Sequence, residues 1–382
     1  MTTNYSAPLP KLSAEKAAPT LSIILFSNLA VSLDSRALIL FSIGMIILRR
    51  RLSSDLRQRL ANLHHPSHSF SMHAFSQEKD GFNSETTKLG PPPIQVSLTE
   101  SAGRGVFATR RIGAGELIHT ANPLVTHPTQ SGLDRPHVCY YCLRRLGKRD
   151  GVPVTSARNG GFWYFCSDAC KQRAKVFVEM EKRADWSFYD EHCSMRQLKY
   201  PFMVKRLACM VISGGASVDC LDVLQPAYLH PLTILEMEEE FELLKATFLK
   251  AQIDDKLIAF LTKRWYTGAL ARLRINSFRI ELIGGSYESL LASAAAIVEG
   301  EAAVGNAVYM LPSFYNHDCD PNVNILWIEN ADAKIRAIRD IEAGEELRIC
   351  YIDASMDCKA RQVLLADGFG FQCHCLRCKS GD

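Results

Sequence analysis

The sequence predicts an α+β fold, rich in short strands and interrupted by a helical stretch, on three observations. Alternating or glycine-broken apolar runs occupy residues 94–118 and return from Ala307 onward, the pattern of half-buried strands and tight turns. Between them, Ala169 to Arg183, Pro201 to Ile212 and Leu232 to Ala251 carry apolar residues three and four positions apart, the helical period. The 13 cysteines include closely spaced pairs and form an odd count without a convincing secretory signal, which favours thiolate metal ligands over a disulfide framework. The chain of 382 residues is 47% apolar, ample for a hydrophobic core, so wholesale disorder and a fibrous repeat are excluded. With 44 Lys and Arg against 41 Asp and Glu, the net charge of +3 supplies no basic field that would hold nucleic acid by charge alone. A partner must be recognised at a site.

Taken in order, residues 1–93 read as an N-terminal extension and linker of low order. Apolar runs from Leu21 to Leu33 and from Ala37 to Leu48 are split by Asp34 and Arg36. Each is shorter than the roughly 20 residues of a spanning helix, and joined they would bury two charges at about 2.5 to 3.5 kcal/mol each. The expected location is the nucleus or cytoplasm, with membrane or organelle association through this segment as the alternative. Ser, His, Asn and Gly accumulate from His64 and the stretch ends at Pro91, Pro92 and Pro93, a linker composition. Ile94 to Leu98 alternates as a first strand, Gly103-Arg104-Gly105 turns into a second, and Gly113 and Gly115 punctuate a hairpin before Glu116, Leu117 and Ile118.

Cys139 and Cys142 form a C-x2-C pair, and Cys166 and Cys170 a C-x3-C pair further on. Thiolates so spaced can close two knuckles around one tetrahedral Zn²⁺. At the other end, Cys373, Cys375 and Cys378 offer three thiolates within six residues, one short of a closed site, and Cys319 is the natural fourth. A zinc there would clip the C-terminal segment onto the Asn316-His317 turn and leave a cleft between them. Cys209, Cys220, Cys350 and Cys358 lack ligand spacing and read as small packed hydrophobes. Arg144, Arg145, Lys148 and Arg149 could suggest DNA contact but read as a solvated surface. Glu345 and Glu346 could look like a catalytic pair, but adjacent strand residues face opposite ways, so one is read as structural.

Phe314-Tyr315-Asn316-His317-Asp318-Cys319, then Gly344-Glu345-Glu346-Leu347-Arg348-Ile349-Cys350-Tyr351, then the terminal cysteines, stand in an order that resembles the SET domain of protein lysine methyltransferases. Gly103-Arg104-Gly105 matches that family's early G-x-G turn and Asn276-Ser277-Phe278 its Asn-x-Phe element. With the inserted cysteine pairs, the chain is similar to the SET-MYND family. The resemblance implies a SET domain over 94–378, a degenerate MYND-type finger inserted at 139–193, a helical insert at 194–275 and a post-SET zinc segment at 368–382. The finger departs from the family pattern: no cysteine lies between Cys142 and Cys166, and His192 and Cys193 are adjacent rather than spaced. The family arrangement then leaves one zinc on Cys139, Cys142, Cys166 and Cys170, with His192 and Cys193 as ordinary surface or packing residues. Two structural zinc ions are expected in all.

The implied activity is methyl transfer from S-adenosylmethionine to a lysine side chain of a histone or another protein. By resemblance Tyr351 is the catalytic hydroxyl, which orients amine and methyl group. The cofactor would be held by Gly103, Arg104, Gly105, Asn276, Asn316, His317 and Tyr351, with Phe371 stacking on adenine and Tyr266 joining the set, while Phe369 walls the substrate channel. The helical domain that closes the peptide groove in many family members is not found after residue 378, so an open groove is expected. The rival expectation is a catalytically silent zinc-binding interaction module whose finger takes a proline-rich peptide. No direct nucleic-acid contact is expected.

Overall fold

The computed structural model describes residues 91–129, 138–147, 151–155, 162–283 and 303–382. The apolar segment at 21–48 and the linker lie outside the described residues; within them, no helix is long and apolar enough to cross a membrane. Strands β1 (Ile94–Leu98), β2 (Arg104–Ala108), β3 (Leu117–Ala121), β4 (Val125–Pro128), β5 (Val152–Thr155) and β6 (Phe162–Phe165) precede the main helices. These run Asp168–Arg183, Ser187–Met195, Tyr200–Ile212, Pro231–Lys250, Asp255–Ile258 and Lys263–Asn276. Strands β7 (Ser277–Glu281), β8 (Ala303–Val308), β9 (Asn316–His317), β10 (Val323–Leu326), β11 (Ala333–Ala337) and β12 (Glu346–Ile349) follow, before helices Cys358–Phe369 and Leu376–Lys379.

Three small sheets, ordered β1-β2-β12-β9, β10-β11-β3 and β4-β8-β7, form the β part, with β5 and β6 as a separate hairpin. The turn before β2 is held by Thr99, whose Oγ1 accepts the Ala102 N–H at 2.9 Å and donates to the Gly103 carbonyl at 3.0 Å. The hairpin expected through Gly113 and Gly115 does not form. β2 pairs with β1 and β12, and β3 pairs with β11 in another sheet. Ile112 bridges instead to Ile341, both fully buried, and the Gly115 N–H reaches the Ala337 carbonyl at 2.9 Å, so this turn hands the chain from one sheet to the next.

The sheet that matters for the site is closed by two short, long-range pairings. β12 lies antiparallel to β2 through Glu346↔Phe107 and Leu347↔Val106, and parallel to β9 through Arg348↔Asn316 and Ile349↔His317. Val106, Ile118, Ile335, Ile341 and Leu347 fill the core beneath these strands. A second core belongs to the helices. Tyr200–Ile212 buries nearly every side chain, Lys205 and Arg206 included, and packs with Phe241, Leu244, Phe248, Tyr266 and Leu273.

Candidate active site and thiol clusters

The cleft is assembled from the ends of elements that the two cores hold rigid. Tyr351 follows β12 directly, so its backbone lies beside β9, and its N–H donates to His317 Nδ1 at 3.1 Å. Because Nδ1 accepts, the His317 proton sits on Nε2, which faces Cys319 Sγ at 3.3 Å. Burial depresses the His317 pKa to about 4, which keeps the ring neutral in this role. The Tyr351 hydroxyl donates to the Tyr315 carbonyl at 2.6 Å, and burial raises its pKa well above the usual phenol value. Tyr315 in turn places its own hydroxyl 2.9 Å from His119 Nε2, on β3.

The helix Cys358–Phe369 is capped by Asp357, which accepts the Ala360 N–H at 2.8 Å, and stopped by Gly370 in the left-handed conformation, φ 79°. That turn needs a residue without a Cβ, and it places Phe369 and Phe371 on either side. Their rings lie 5.0 Å and 6.4 Å from Tyr351, and Phe371 lies 5.9 Å from His317. Ala102, Arg104, Asn276, Asn316, Phe278 and Trp327 complete the wall of a cavity of about 590 Å³, a size suited to a small-molecule ligand.

The structure brings together Arg104, Asn276, Asn316, Tyr351, Phe369 and Phe371 around this cavity, with His317 directly behind it. It does not do so for three other expected residues. Tyr266 is fully buried in the helical core, with its hydroxyl 3.4 Å from that of Tyr189 and its ring against Phe241, so it is a packing residue. Gly103 shapes the turn at φ 76°, and Gly105 is required by a close approach of protein atoms. A Cβ at Gly105 would stand 2.6 Å from Glu346 Oε1 and 3.1 Å from Asn316 Nδ2. Neither glycine lines the cavity. Asn276 spends both amide protons on the carbonyls of Gln225 and Arg272, each at 2.8 Å, so it ties the helical insert to the cleft wall.

Both thiol sets converge. Cys139, Cys142, Cys166 and Cys170 have ligand atoms within 4.8 Å of one another, and so do Cys319, Cys373, Cys375 and Cys378. Sulfur separations of 3.7 and 3.4 Å in the first and 3.9 and 3.5 Å in the second match the about 3.8 Å edge of a tetrahedron with Zn–S bonds near 2.3 Å. The donor sets therefore fit one Zn²⁺ each. Local chain chemistry presents the ligands: Ser167 caps the helix Asp168–Arg183 by accepting the Cys170 N–H, which fixes Cys170 in the first turn. Cys193 is fully buried and His192 faces Glu239 and Glu240 at 3.7 Å, so both are packing residues apart from the four thiols.

Sequence reasoning missed several supporting groups. Tyr315, His119, Glu346 and Arg361 had no assigned role. Arg361 is fully buried beneath the second thiol set and donates to the Met356 carbonyl at 2.5 Å, with its other arm 3.7 Å from Cys378 Sγ. Burial works against the Cys378 thiolate, but Arg361 and the neighbouring thiols bring its pKa down to about 7. Arg144, on the finger, pairs with Glu329 at 2.9 Å, as a surface residue would.

Comparison with known proteins bears on the same segments. The sequence profile of the family described as "SET domain" matches residues 103–352. The chain is 57% identical over 296 residues to "Histone-lysine N-methyltransferase ATXR4" of Arabidopsis thaliana, covering 77% of this chain and 89% of that one. It is 44% identical over 297 residues to "Histone-lysine N-methyltransferase SMYD3" of Mus musculus, covering 76% of this chain and 62% of that one. A SET and MYND domain-containing protein of Dictyostelium discoideum is 20% identical over 271 residues, 69% of this chain and 76% of that one. Among solved structures, the SET domain of LSMT bound to lysine and AdoHcy aligns at 14% identity and a TM-score of 0.35, over 74% of this chain and 54% of that one. From the profile over 250 consecutive positions and a relative matched along most of its length, the chain belongs to the SET-domain family.

Proposed function

We propose that this protein transfers a methyl group from S-adenosylmethionine to the side-chain amine of a lysine in a protein substrate, a histone tail or another protein. The observation that carries the reading is the meeting of Tyr351, Phe369, Phe371 and Asn316 around one cavity in a chain of this family. The relatives at 57% and 44% identity, both named histone-lysine N-methyltransferases, support the same reaction class.

When bound, S-adenosylmethionine supplies an activated methyl on a sulfonium, open to in-line displacement by an amine. The residues of this chain supply alignment. Phe371, 37% exposed with its ring facing the cleft, offers a flat apolar surface for a heterocycle, and Asn316 and the Ala102–Arg104 turn offer polar contacts beside it. Tyr351 is held protonated by burial and its proton is already committed to the Tyr315 carbonyl, so its remaining lone pair can only accept. It therefore orients an incoming amine N–H and is no base. The apolar walls of Phe278, Trp327 and Phe369 desolvate a lysine ammonium and so lower its pKa, which favours loss of its proton before transfer. Holding the partners within about 3 to 3.5 Å in line is itself worth several orders of magnitude in rate.

The zinc ions would be structural in this scheme, each closed by four thiolates. The second, on Cys319, Cys373, Cys375 and Cys378, would keep Phe369 and Phe371 against Tyr351 by fixing the segment that follows them.

The deciding experiment combines calorimetric titration of the purified chain with S-adenosylmethionine and transfer of labelled methyl to a mixed protein extract, followed by hydrolysis and chromatography for methyl-lysine. Saturable binding with label in methyl-lysine is expected. Binding without transfer, or no binding at all, would leave a silent zinc-stabilised interaction module instead.

A further inference from the structure

Arg361 is fully buried in the first turn of the helix Cys358–Phe369. A guanidinium stays charged at any pH a folded protein meets, so one taken out of water needs an anion beside it. Its Nη1 donates to the Met356 carbonyl at 2.5 Å, while its Nη2 touches the Asp382 main-chain oxygen and lies 3.7 Å from Cys378 Sγ. Among the described residues no side-chain carboxylate hydrogen-bonds to it, and its buried Nε has no partner. Asp382 is exposed to solvent, so the buried anion within reach is sulfur.

Three sulfurs of the second thiol set have a nitrogen donor against them. His317 Nε2 faces Cys319 Sγ at 3.3 Å, the Cys378 N–H donates to Cys375 Sγ at 3.4 Å, and Arg361 stands against Cys378. The backbone amide is neutral, and so is an imidazole whose Nδ1 accepts the Tyr351 N–H. Arg361 alone of the three brings charge. Four thiolates around one Zn²⁺ leave two net negative charges, and buried charge of one sign is costly unless it is countered. The other guanidinium nearby, Arg377, is matched by Asp382 Oδ2 at 3.0 Å and rests on the carbonyls of Cys319 and Ala354 at 3.4 and 2.7 Å. Placement of the chain is provided for separately: Gln362 clamps the Cys373 main chain with both amide atoms, at 2.7 and 2.9 Å.

We infer that Arg361 is a positioning residue of the second thiol set, whose buried guanidinium offsets part of the charge of a zinc tetrathiolate and holds Cys378 Sγ among the ligands. The inference rests on reading Cys319, Cys373, Cys375 and Cys378 as a Zn²⁺ site and asks nothing of the methyl donor. It gives the helix Cys358–Phe369 a task at each end: Arg361 steadies the ion's sulfurs from the first turn, and Phe369 at the last residue walls the cavity.

The test compares full-length wild type, Arg361→Lys and Arg361→Gln, each loaded with zinc, by competition against a chromophoric zinc chelator. The ion on Cys139, Cys142, Cys166 and Cys170 is the reference within the same molecule, and repeating the titration with Cys139→Ser added assigns the remaining equivalent to the second set. Lysine keeps the charge without the planar fork, whereas glutamine keeps a donor without the charge. Loss of an outer partner costs about 10- to 100-fold in metal affinity, so Arg361→Gln should release one equivalent at a chelator concentration lower by about that factor. Arg361→Lys should fall between Arg361→Gln and wild type, with the other equivalent unmoved in both. Extending the chain by two glycines past Asp382, which carries any charge at that end away from Arg361, should leave both equivalents as in wild type. Unchanged retention in Arg361→Gln, equal losses in the two variants, or a comparable loss on extension would overturn the inference. So would loosening of both equivalents together, the result expected of an arginine that serves the fold alone. A wild type that holds a single equivalent would refute the zinc reading of the second set and the inference with it, a result independent of whether the methyl donor binds.

Discussion

The hydroxyl of Tyr351 gives its proton to the backbone carbonyl of Tyr315, two residues before His317, whose ring accepts the Tyr351 N–H. The tyrosine is thus gripped at both ends by one short segment. Its oxygen is left with acceptor capacity only, aimed by the peptide plane of Tyr315. Replacing Tyr351 by Phe removes that oxygen but keeps the ring against Phe369 and Phe371. Methyl transfer in a single turnover should fall by about 100-fold or more, the scale of a misplaced reactant, with the dissociation constant of the methyl donor nearly unchanged. Unfolding should cost about 1 kcal/mol less, for one lost hydrogen bond. Transfer at the wild-type rate would remove Tyr351 from the mechanism.

The second thiol set, which fits a zinc ion, is coupled to this tyrosine through one imidazole. His317 Nε2 faces Cys319 Sγ at 3.3 Å while Nδ1 holds the Tyr351 backbone. Removing a zinc ion held there should therefore loosen Tyr351 as well as the tail that carries Phe371. Cys319→Ser is expected to lower the zinc content from two equivalents to one by elemental analysis and to abolish saturable binding of the methyl donor. Cys139→Ser should remove the other equivalent and destabilise the finger while the cleft still binds. A chelated protein that retains full affinity for the methyl donor would refute the coupling.

What the sequence made legible was local. The cysteine pairs have ligand spacing along the chain, so their convergence could be read directly, and the helix limits at Ala169 to Arg183 and Pro201 to Ile212 fell within a residue of those observed. Tyr266 shows a readable signal overruled by resemblance: it shares a helical face with Ala269, Leu270 and Leu273, all buried, which is the three-and-four pattern of a core stripe. The pairings that build the cleft were not legible. β9 and β12 meet across thirty-two residues at Arg348↔Asn316, and the Glu346 contact with Asn316 exists only because of that parallel pairing. The turn through Gly113 and Gly115 looked like a hairpin because glycine spacing marks a reversal without naming the strand that will be met.

Arg206 joins the finger to the helices and should be costly to remove. It is 1% exposed, donates to the carbonyls of Thr126 at 2.6 Å and Tyr140 at 3.1 Å, and lies over the rings of Tyr140 and Phe177 at 4.1 and 4.2 Å. Glu181, equally buried, stands 3.5 Å from its Nε. Arg206→Met keeps the length of the side chain but leaves the buried Glu181 carboxylate without a cation, its Oε2 still accepting the Tyr140 hydroxyl at 2.9 Å, a loss of about 3 kcal/mol in urea unfolding. Adding Glu181→Gln should recover part of it, since the stranded charge is then gone. A double variant no more stable than the single one would show that the packing on Tyr140, not the charge, sets the cost.

His119 gives the fold a predictable acid sensitivity. It is 8% exposed on β3, opposite Ile335, and its Nε2 meets the Tyr315 hydroxyl. Burial lowers its pKa from 6.5 to about 4, only partly offset by the Thr120 backbone. The folded state thus holds the ring neutral where the unfolded chain would already bind a proton. Its contribution is fully present above pH 6.5 and is lost as pH falls through about 4, with a ceiling of about 3 kcal/mol at 1.36 kcal/mol per pH unit. His119→Phe should flatten this part of the stability profile, so the difference between wild type and variant in urea unfolding should shrink between pH 7 and pH 4.5. Carboxylates and His317 titrate in the same range but are common to both proteins and cancel in that difference. Because the protonated ring can no longer accept from Tyr315, whose carbonyl aims Tyr351, methyl transfer by the folded wild type should hold down to about pH 5 and decline only as pH falls through about 4. A difference that stays constant with pH would mean that folding leaves the His119 pKa at its ordinary value.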